Sequence, residues 1–380
     1  MLRYYTAGES HGKALVALID GFPAGVPLNV ERIDAELRRR QGGYGRGGRQ
    51  QIEADHVEIL SGVWRGRSLG SPIALLTPNQ DYKIERMDDL PCPRPGHGDL
   101  NGSLKYLGSI RGVLERASAR ETAARVAAGA LVRSMLDAFG IDVFGYVVEV
   151  GPIAVAPRPG PIADQRSLRD RSVLYTLDPD RDAEFKQLVD ETRRQGDTLG
   201  GVIEVRVEGL PFGLGSHTQW DRKLDGRLAQ AAMSVQAIKG VEIGLGFEAA
   251  RRPGSQVHDP IGFDPAAVDS PTLGFVRPTN HAGGLEAGMT NAQPLVLRAA
   301  MKPIATLAQP LDSVRLDTKQ PDKASYERSD VCAVAAASCV LENVVALEIA
   351  AAMIDKFGGD SLTEMRARWR LFHDLARGKS

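Results

Sequence analysis

The stretch Val202-Ile203-Glu204-Val205-Arg206-Val207-Glu208 (VIEVRVE) puts Ile203, Val205 and Val207 on one face of an extended chain and three charged residues on the other. A period of two with one apolar and one charged face is that of a half-buried antiparallel strand. Asp142 to Val150 (DVFGYVVEV) reads the same way. Outward from these two, helical periods run over Val30 to Arg40, Arg120 to Phe139 with a stop at Gly140, and Asp221 to Val235. A longer apolar helix runs from about Val331 to Phe357 and ends before Gly358-Gly359. Strands and helices interleave without the strict βαβ spacing of a parallel sheet. No G-x-G-x-x-G follows a strand at a helix start, and no Walker A sequence occurs. An α+β chain with largely antiparallel sheets is expected, not a Rossmann domain.

At 380 residues the chain can fill one large domain or two ordinary ones. No internal repeat or interdomain linker stands out. The most linker-like segment, Gly151 to Asp164 (GPIAVAPRPGPIAD), reads as a surface excursion within one domain. Asp360 to Ser380 reads as an amphipathic helix with a frayed basic end. Lys plus Arg number 47 against 48 Asp plus Glu, a net charge of -1. That balance argues against a nucleic-acid partner, for which a domain is usually clearly basic. Cys92, Cys332 and Cys339 are odd in number and lack C-x-x-C spacing, so neither a disulfide framework nor a zinc site is indicated. The start, MLRYYTAGESHG, lacks the pattern of a secretory signal. The most membrane-like run, Val331 to Ile354, is interrupted by Glu342, Asn343 and Glu348. A cytoplasmic protein with no membrane partner is expected.

Chemistry concentrates in a few segments. Arg38 to Arg49 (RRRQGGYGRGGR) packs five arginines and five glycines into twelve residues, between a helix and the strand-like Gln50 to Leu60. On a near-neutral chain this local charge suits a small anion better than a long polyanion. Ser118 and Glu121 in ERASARET form an S-x-x-E capping box, placing a helix start beside Arg116 and Arg120. Free N–H groups and the dipole there make a credible phosphate site, although an ordinary capped helix has the same signature. His11 (GESHG) and His97 (PRPGHGD) sit in loops with glycine or proline neighbours, where an imidazole can be aimed at a ligand. The other histidines show no metal spacing. Thr279 to Gly284, Gly288 to Asn291 and Lys302 to Thr306 place glycines beside Asn and Thr. Asp330, in ERSD, is placed to cap the long apolar helix.

Taken in order, GESHG, RRQGGYGRGGR, PRPGHGDLNGSLKY, ERASARETAARVAAGA, QAIKGVEIGLGF, TNHAGGLEAGMTN, MKPIATL and ERSDVCAV resemble the chorismate synthase family. The resemblance runs from about Leu2 to Gly359 and implies one domain over residues 1–359, with 360–380 as a C-terminal helical tail. It implies a β-α-β sandwich with helices between two antiparallel sheets, assembled as a homotetramer. The implied reaction converts 5-enolpyruvylshikimate 3-phosphate to chorismate, a carbon–oxygen lyase step using reduced FMN without net oxidation. By matching positions, catalytic roles fall on His11, His97 and Asp330, and substrate anions on Arg40, Arg46, Arg94 and Arg120. The flavin would meet Arg116, Ala117, Ser118, Gln236, Ala237, Ala287, Gly288, Arg328 and the run Lys302, Pro303, Ile304, Ala305 and Thr306. An external flavin reductase is the expected source of electrons, with reduction by NADPH on the protein itself as the alternative. Departures from the family pattern include Ala287 and Ala292 in place of common glycines, which puts strain on any left-handed turn there.

Overall fold

A computed structural model of the chain describes residues 1–48, 54–327 and 329–378. VIEVRVE lies at the centre of a five-stranded antiparallel sheet, as strand Gly201–Glu208. It pairs on one side with Asp142–Val150 and on the other with Leu295–Met301; Ile238–Ile243 and Ile153–Ala154 form the edges. Ile203, Val205 and Val207 are fully buried, as the alternation requires.

A second antiparallel sheet orders its strands Arg3–Ala7, Ala14–Asp20, Ile73–Pro78 and Glu58–Ile59. Between the sheets lie helices α1 (Val30–Gln41), α4 (Thr122–Asp137), α7 (Leu224–Met233) and α8 (Val334–Phe357). Helix α4 covers the four-stranded sheet, α8 covers the five-stranded one, and the two helices pack on each other. Around this sandwich run α2 (Asp99–Tyr106), α3 (Ile110–Ala117), α5 (Ile162–Arg171), α6 (Asp182–Arg194) and α9 (Leu362–Ala376).

Two glycines set the thickness of the sandwich. A Cβ on Gly129 of α4 would lie 2.4 Å from the Asn343 carbonyl oxygen of α8, and one on Gly145 would lie 2.7 Å from the Ser338 carbonyl oxygen. Any side chain at either place pushes α8 off its neighbours.

Helix α8 has the length and composition of a membrane span, yet 94% of its most apolar window is buried inside the protein. Glu342, which reads in the sequence as an interruption, is instead a hub of the interior. It lies 2.6 Å from Arg133 Nη1, 2.8 Å from Arg39 Nη2 and 3.1 Å from Arg169 Nη1, and also accepts from the Gly145 N–H. Burial pushes its carboxyl up, but Arg39 and Arg133 outweigh that and hold it below the usual range.

Several boundaries differ from the sequence expectation. The helix read from Arg120 starts at Thr122, after a 3-10 turn over Ala119–Glu121, because Ser118 first ends α3. Asp221 to Val235 splits into a 3-10 turn and α7, and α8 begins at Val334 rather than Val331. Of the strand read over Gln50 to Leu60, residues 50–53 lie outside the described residues, and within the rest only Glu58–Ile59 is strand. The proline-rich excursion holds strand Ile153–Ala154 and ends by entering α5. Helix α9 carries a Ser361–Glu364 capping box and packs Leu362, Met365 and Trp369 against the end of α8.

Candidate active site

The corner between α3 and α4 organises the site. Ser118 Oγ accepts from the Arg120 N–H and donates to Ser10 Oγ. The capping box does not close. Glu121 turns away, is buried, and accepts from Thr6 Oγ1, Arg125 and Gln236 Nε2. Burial raises its carboxyl, and Arg125, Thr6 and Gln236 together lower it further than burial raises it.

Arg120 points into the protein. Its Nε donates to Asn79 Oδ1 at 2.9 Å and its Nη1 to both oxygens of Asp55 at 2.7 Å. Arg40, from the last turn of α1, donates Nη2 to the same Asp55 at 2.8 Å. Asp55 is 3% exposed; burial pushes its carboxyl up, and the two arginines bring it below the usual range. Arg46 stands nearby, 3.4 Å from Asp330 Oδ2, while Gly47 donates its N–H to Asp330 Oδ1. Among the described residues, Arg40 and Arg120 thus meet on Asp55, with Arg46 beside them on Asp330. Nε of Arg40 and Nε of Arg46 are buried with no hydrogen-bond partner among the described residues. A buried donor left unmade is unfavourable, so these two nitrogens favour an added acceptor. Asp330 caps no helix: α8 starts after Ala333 without a side-chain cap.

Each predicted histidine is held by a buried carboxylate. His11 lies with its backbone N–H 2.7 Å and its Nδ1 2.9 Å from Glu115, and its Nε2 faces Asp81. Burial raises the Glu115 carboxyl, but the bonds from His11 and the charge of Arg111 hold it below the usual range. An ionised carboxylate only accepts, so Nδ1 carries the proton. His97 repeats the plan: Nδ1 meets Asp99 Oδ1, and Arg94 forks onto both Asp99 oxygens at 2.8 and 3.0 Å. Asp99 is fully buried; burial raises its carboxyl, and hydrogen bonds from His97 and Arg94 pull it far below the usual range. Arg94 also donates Nη1 to Thr306 Oγ1 at 2.8 Å, so all three of its nitrogens are engaged within the protein.

The remaining predicted positions fall into three groups. Arg94 to Gly98 packs on the 302–306 run: a Cβ on Gly96 would meet Lys302 Nζ at 3.7 Å and Ala305 at 3.8 Å, and one on Gly98 would meet Ala117. Gln236 and Ala237 join the same wall, since the Lys302 N–H donates to the Ala237 carbonyl at 2.9 Å and Ile304 is tied to Thr198. Gln236 Oε1 is a buried acceptor without a donor among the described residues. Arg116 spends its guanidinium on the carbonyls of Thr6 and Gly8, fastening α3 to the first strand. The Ala287–Gly288 turn is elsewhere. It packs on Lys223 and Leu224 at the start of α7, whereas Gln236 follows the end of α7. A ten-residue helix separates them by about 15 Å. Arg328 lies outside the described residues.

The family model described as chorismate synthase matches residues 2–354. The chain belongs to the chorismate synthase family. It is 55% identical to "Chorismate synthase" of Trichlorobacter lovleyi over 96% of this chain and 97% of that one. It is also 55% identical to "Chorismate synthase" of Geobacter metallireducens, over 99% and 100% of the two chains. A solved structure described as "Crystal Structure of Chorismate Synthase" superposes with a TM-score of 0.82 at 43% identity, covering 99% of this chain and 98% of that one. Chorismate synthases are lyases, and the sandwich with its helices enclosed is shared with that structure.

Within this chorismate synthase family member, several groups at the site had no role in the sequence reading. Glu115 and Asp99 sit inside quoted motifs, and Asp99 lies only two residues from His97, a spacing that could have found it. Asp55 and Asn79 had no such signal. They reach Arg120 from 65 and 41 residues away, through loops with no motif of their own.

Proposed function

We propose that the chain catalyses the anti-1,4 elimination of phosphate and a C6 hydrogen from 5-enolpyruvylshikimate 3-phosphate, giving chorismate, with reduced FMN as cofactor. The observation that carries this reading is the gathering of Arg40 and Arg120 on buried Asp55 with Arg46 nearby, together with two histidines that buried carboxylates hold in one tautomer. Substrate with a phosphate and two carboxylates needs such a pocket, each charge-assisted bond contributing about 1.5–3 kcal/mol.

The residues present suit a flavin. Gln236 Oε1 is an unsatisfied acceptor for a ring N–H, and Lys302 stands half-buried on the same wall. Burial, aided by Lys239, lowers the Lys302 pKa, as expected of an ammonium awaiting an anion. Held against Gln236 and Lys302, reduced FMN would supply electron density for loss of the phosphate and a site for the C6 hydrogen. Arg40, Arg46 and Arg120 hold the substrate's anionic groups and exclude water from them. His97, its Nδ1 fixed by Asp99, presents Nε2 to hold or donate a proton at the departing phosphate oxygen. His11, fixed by Glu115, keeps a proton in place beside the cofactor, and Asp330, seated on Gly47, assists the C6 proton's departure. Electrons for the flavin come from a separate reductase in this reading, and the active form is a cytoplasmic homotetramer.

Phosphate release under strict anaerobiosis tests the proposal. Release only with reduced FMN, together with the absorbance of chorismate, is expected. Release with oxidised FMN, or no release while FMN is bound, would overturn it. NADPH consumption with FMN alone would remove the separate reductase.

A further inference from the structure

Arg39 and Arg40 are neighbours in the last turn of α1, and they serve different cavities. Arg40 reaches Asp55, while Arg39 forms the floor of a groove of about 810 Å³ between α1, the end of α4 and α5. That volume would take a metabolite.

The groove is graded in charge from rim to floor. At the rim, Arg32 pairs with Asp137 and Arg166 with Asp142, and those carboxylates are about half exposed, as is Asp170. Water and salt screen such pairs strongly. On the floor, Arg39, Arg133 and Arg169 converge, with side chains 10%, 3% and 3% exposed, against Glu36 and Glu342. Arg39 uses only its Nη2 on these carboxylates. Its Nε and Nη1 are buried with no hydrogen-bond partner among the described residues. The interior ion pairs thus leave one guanidinium half satisfied at the bottom of an open groove. Nothing in the elimination chemistry uses this place.

We propose that the groove is a second binding site, separate from the catalytic pocket, for a small oxyanion: a carboxylate or phosphate of metabolite size that accepts from Arg39 and is flanked by Arg32 and Arg166. A ligand there would meet Arg32 and Arg166 first, and a turn of the Arg39 side chain toward the groove would bring it the donors that the fold leaves unmade.

Two measurements test it. Crystals soaked in selenate should show an anomalous peak within hydrogen-bond reach of Arg39 Nε or Nη1. In solution, phosphate and malonate titrations followed by calorimetry should each show a component that Arg166→Gln weakens about tenfold. Asp142→Asn, which frees Arg166, should tighten the same component several-fold. Circular dichroism confirms that both rim variants fold. A tighter phosphate arm assigns a phosphate ester as the ligand class; a tighter malonate arm assigns a carboxylate. Selenate confined to the Arg40–Arg46–Arg120 pocket overturns the proposal. So does a peak at Arg39 with no titration response to either variant, which is an adventitious ion only. A carboxylate of a neighbouring subunit seated in the groove overturns it as well.

Discussion

The His97 loop and the His11 corner are built to one plan, a histidine held by a buried carboxylate with an arginine behind it, and they differ in what the arginine can fall back on. Arg94 forks onto Asp99 and has no other carboxylate partner among the described residues. Arg111 reaches Glu115 only at 3.6 Å and bonds Glu327 at 2.7 Å. His97 and Asp99 lie two residues apart in one loop, whereas His11 and Glu115 lie 104 apart and tie the amino-terminal turn to α3. The same chemical unit is therefore self-contained in one place and part of the tertiary frame in the other.

The largest effect is expected from the rings themselves. His97→Ala and His11→Ala should each lower turnover by about 10²–10⁴, the range of a lost proton-transfer group, with folding intact. Steady-state rates with reduced FMN check this, and wild-type turnover from either variant removes that histidine from the mechanism.

The carboxylates separate the two units. Asp99→Asn leaves the Arg94 charge buried without its counter-ion, which should cost about 3–5 kcal/mol of stability. Glu115→Gln leaves Arg111 on Glu327 and should cost about 1–2 kcal/mol. Urea denaturation of the two variants decides between them, and equal losses would sink the argument from the second partner.

How much of this was legible depended on chain distance. VIEVRVE showed its strand because one face meets α8 and the other does not, so the alternation is written in the residues. DVFGYVVEV is a strand too, but not half-buried, since Phe144 and Tyr146 pack with Ile162 and Leu177 on the face away from α8. The helices around Asp99, Ile110, Ile162 and Asp182 were not read. The helices at Asp99 and Ile162 are short and mostly polar, with no clear apolar period, whereas the one at Asp182 does carry a period in Phe185, Val189 and Thr192 that the reading passed over. At the site, His11 and His97 could be found through their glycine-rich loops. The partners of the arginines could not, since Asp55 approaches Arg120 from another loop and only the folded chain brings them together. Glu342 misled for a related reason. A charge in an apolar run looks like a break until three arginines from α1, α4 and α5 are seen around it.

Acid sharpens the comparison further. Asp99 and Glu115 both have folded-state pKa values below the usual carboxylate range. Each therefore adds stability that is present above the unfolded value of about 4 and is lost as pH falls through the lowered folded value. The stability gap between the wild type and Asp99→Asn should accordingly be constant near neutrality and narrow below about pH 4. Denaturation series at pH 7, 4 and 3 measure it. A gap that stays constant across the series would show that Asn fails through packing, not through the lost charge.

The smallest effect is expected outside the two histidine units, at Ala292. Its φ is 62°, a left-handed backbone that a Cβ disfavours, and the residue is almost buried. Gly at this position relieves that conformation but frees the unfolded chain, so the two terms oppose each other. Left-handed Ala is strained by about 1–2 kcal/mol, which exceeds the entropy that Gly regains on unfolding, of about 0.5–1 kcal/mol. Ala292→Gly should thus raise stability slightly, by less than about 1 kcal/mol, with no change in the ratio of the two histidine variants' rates. A fall in melting temperature would mean that the Ala292 methyl group packs well enough to outweigh its own backbone strain.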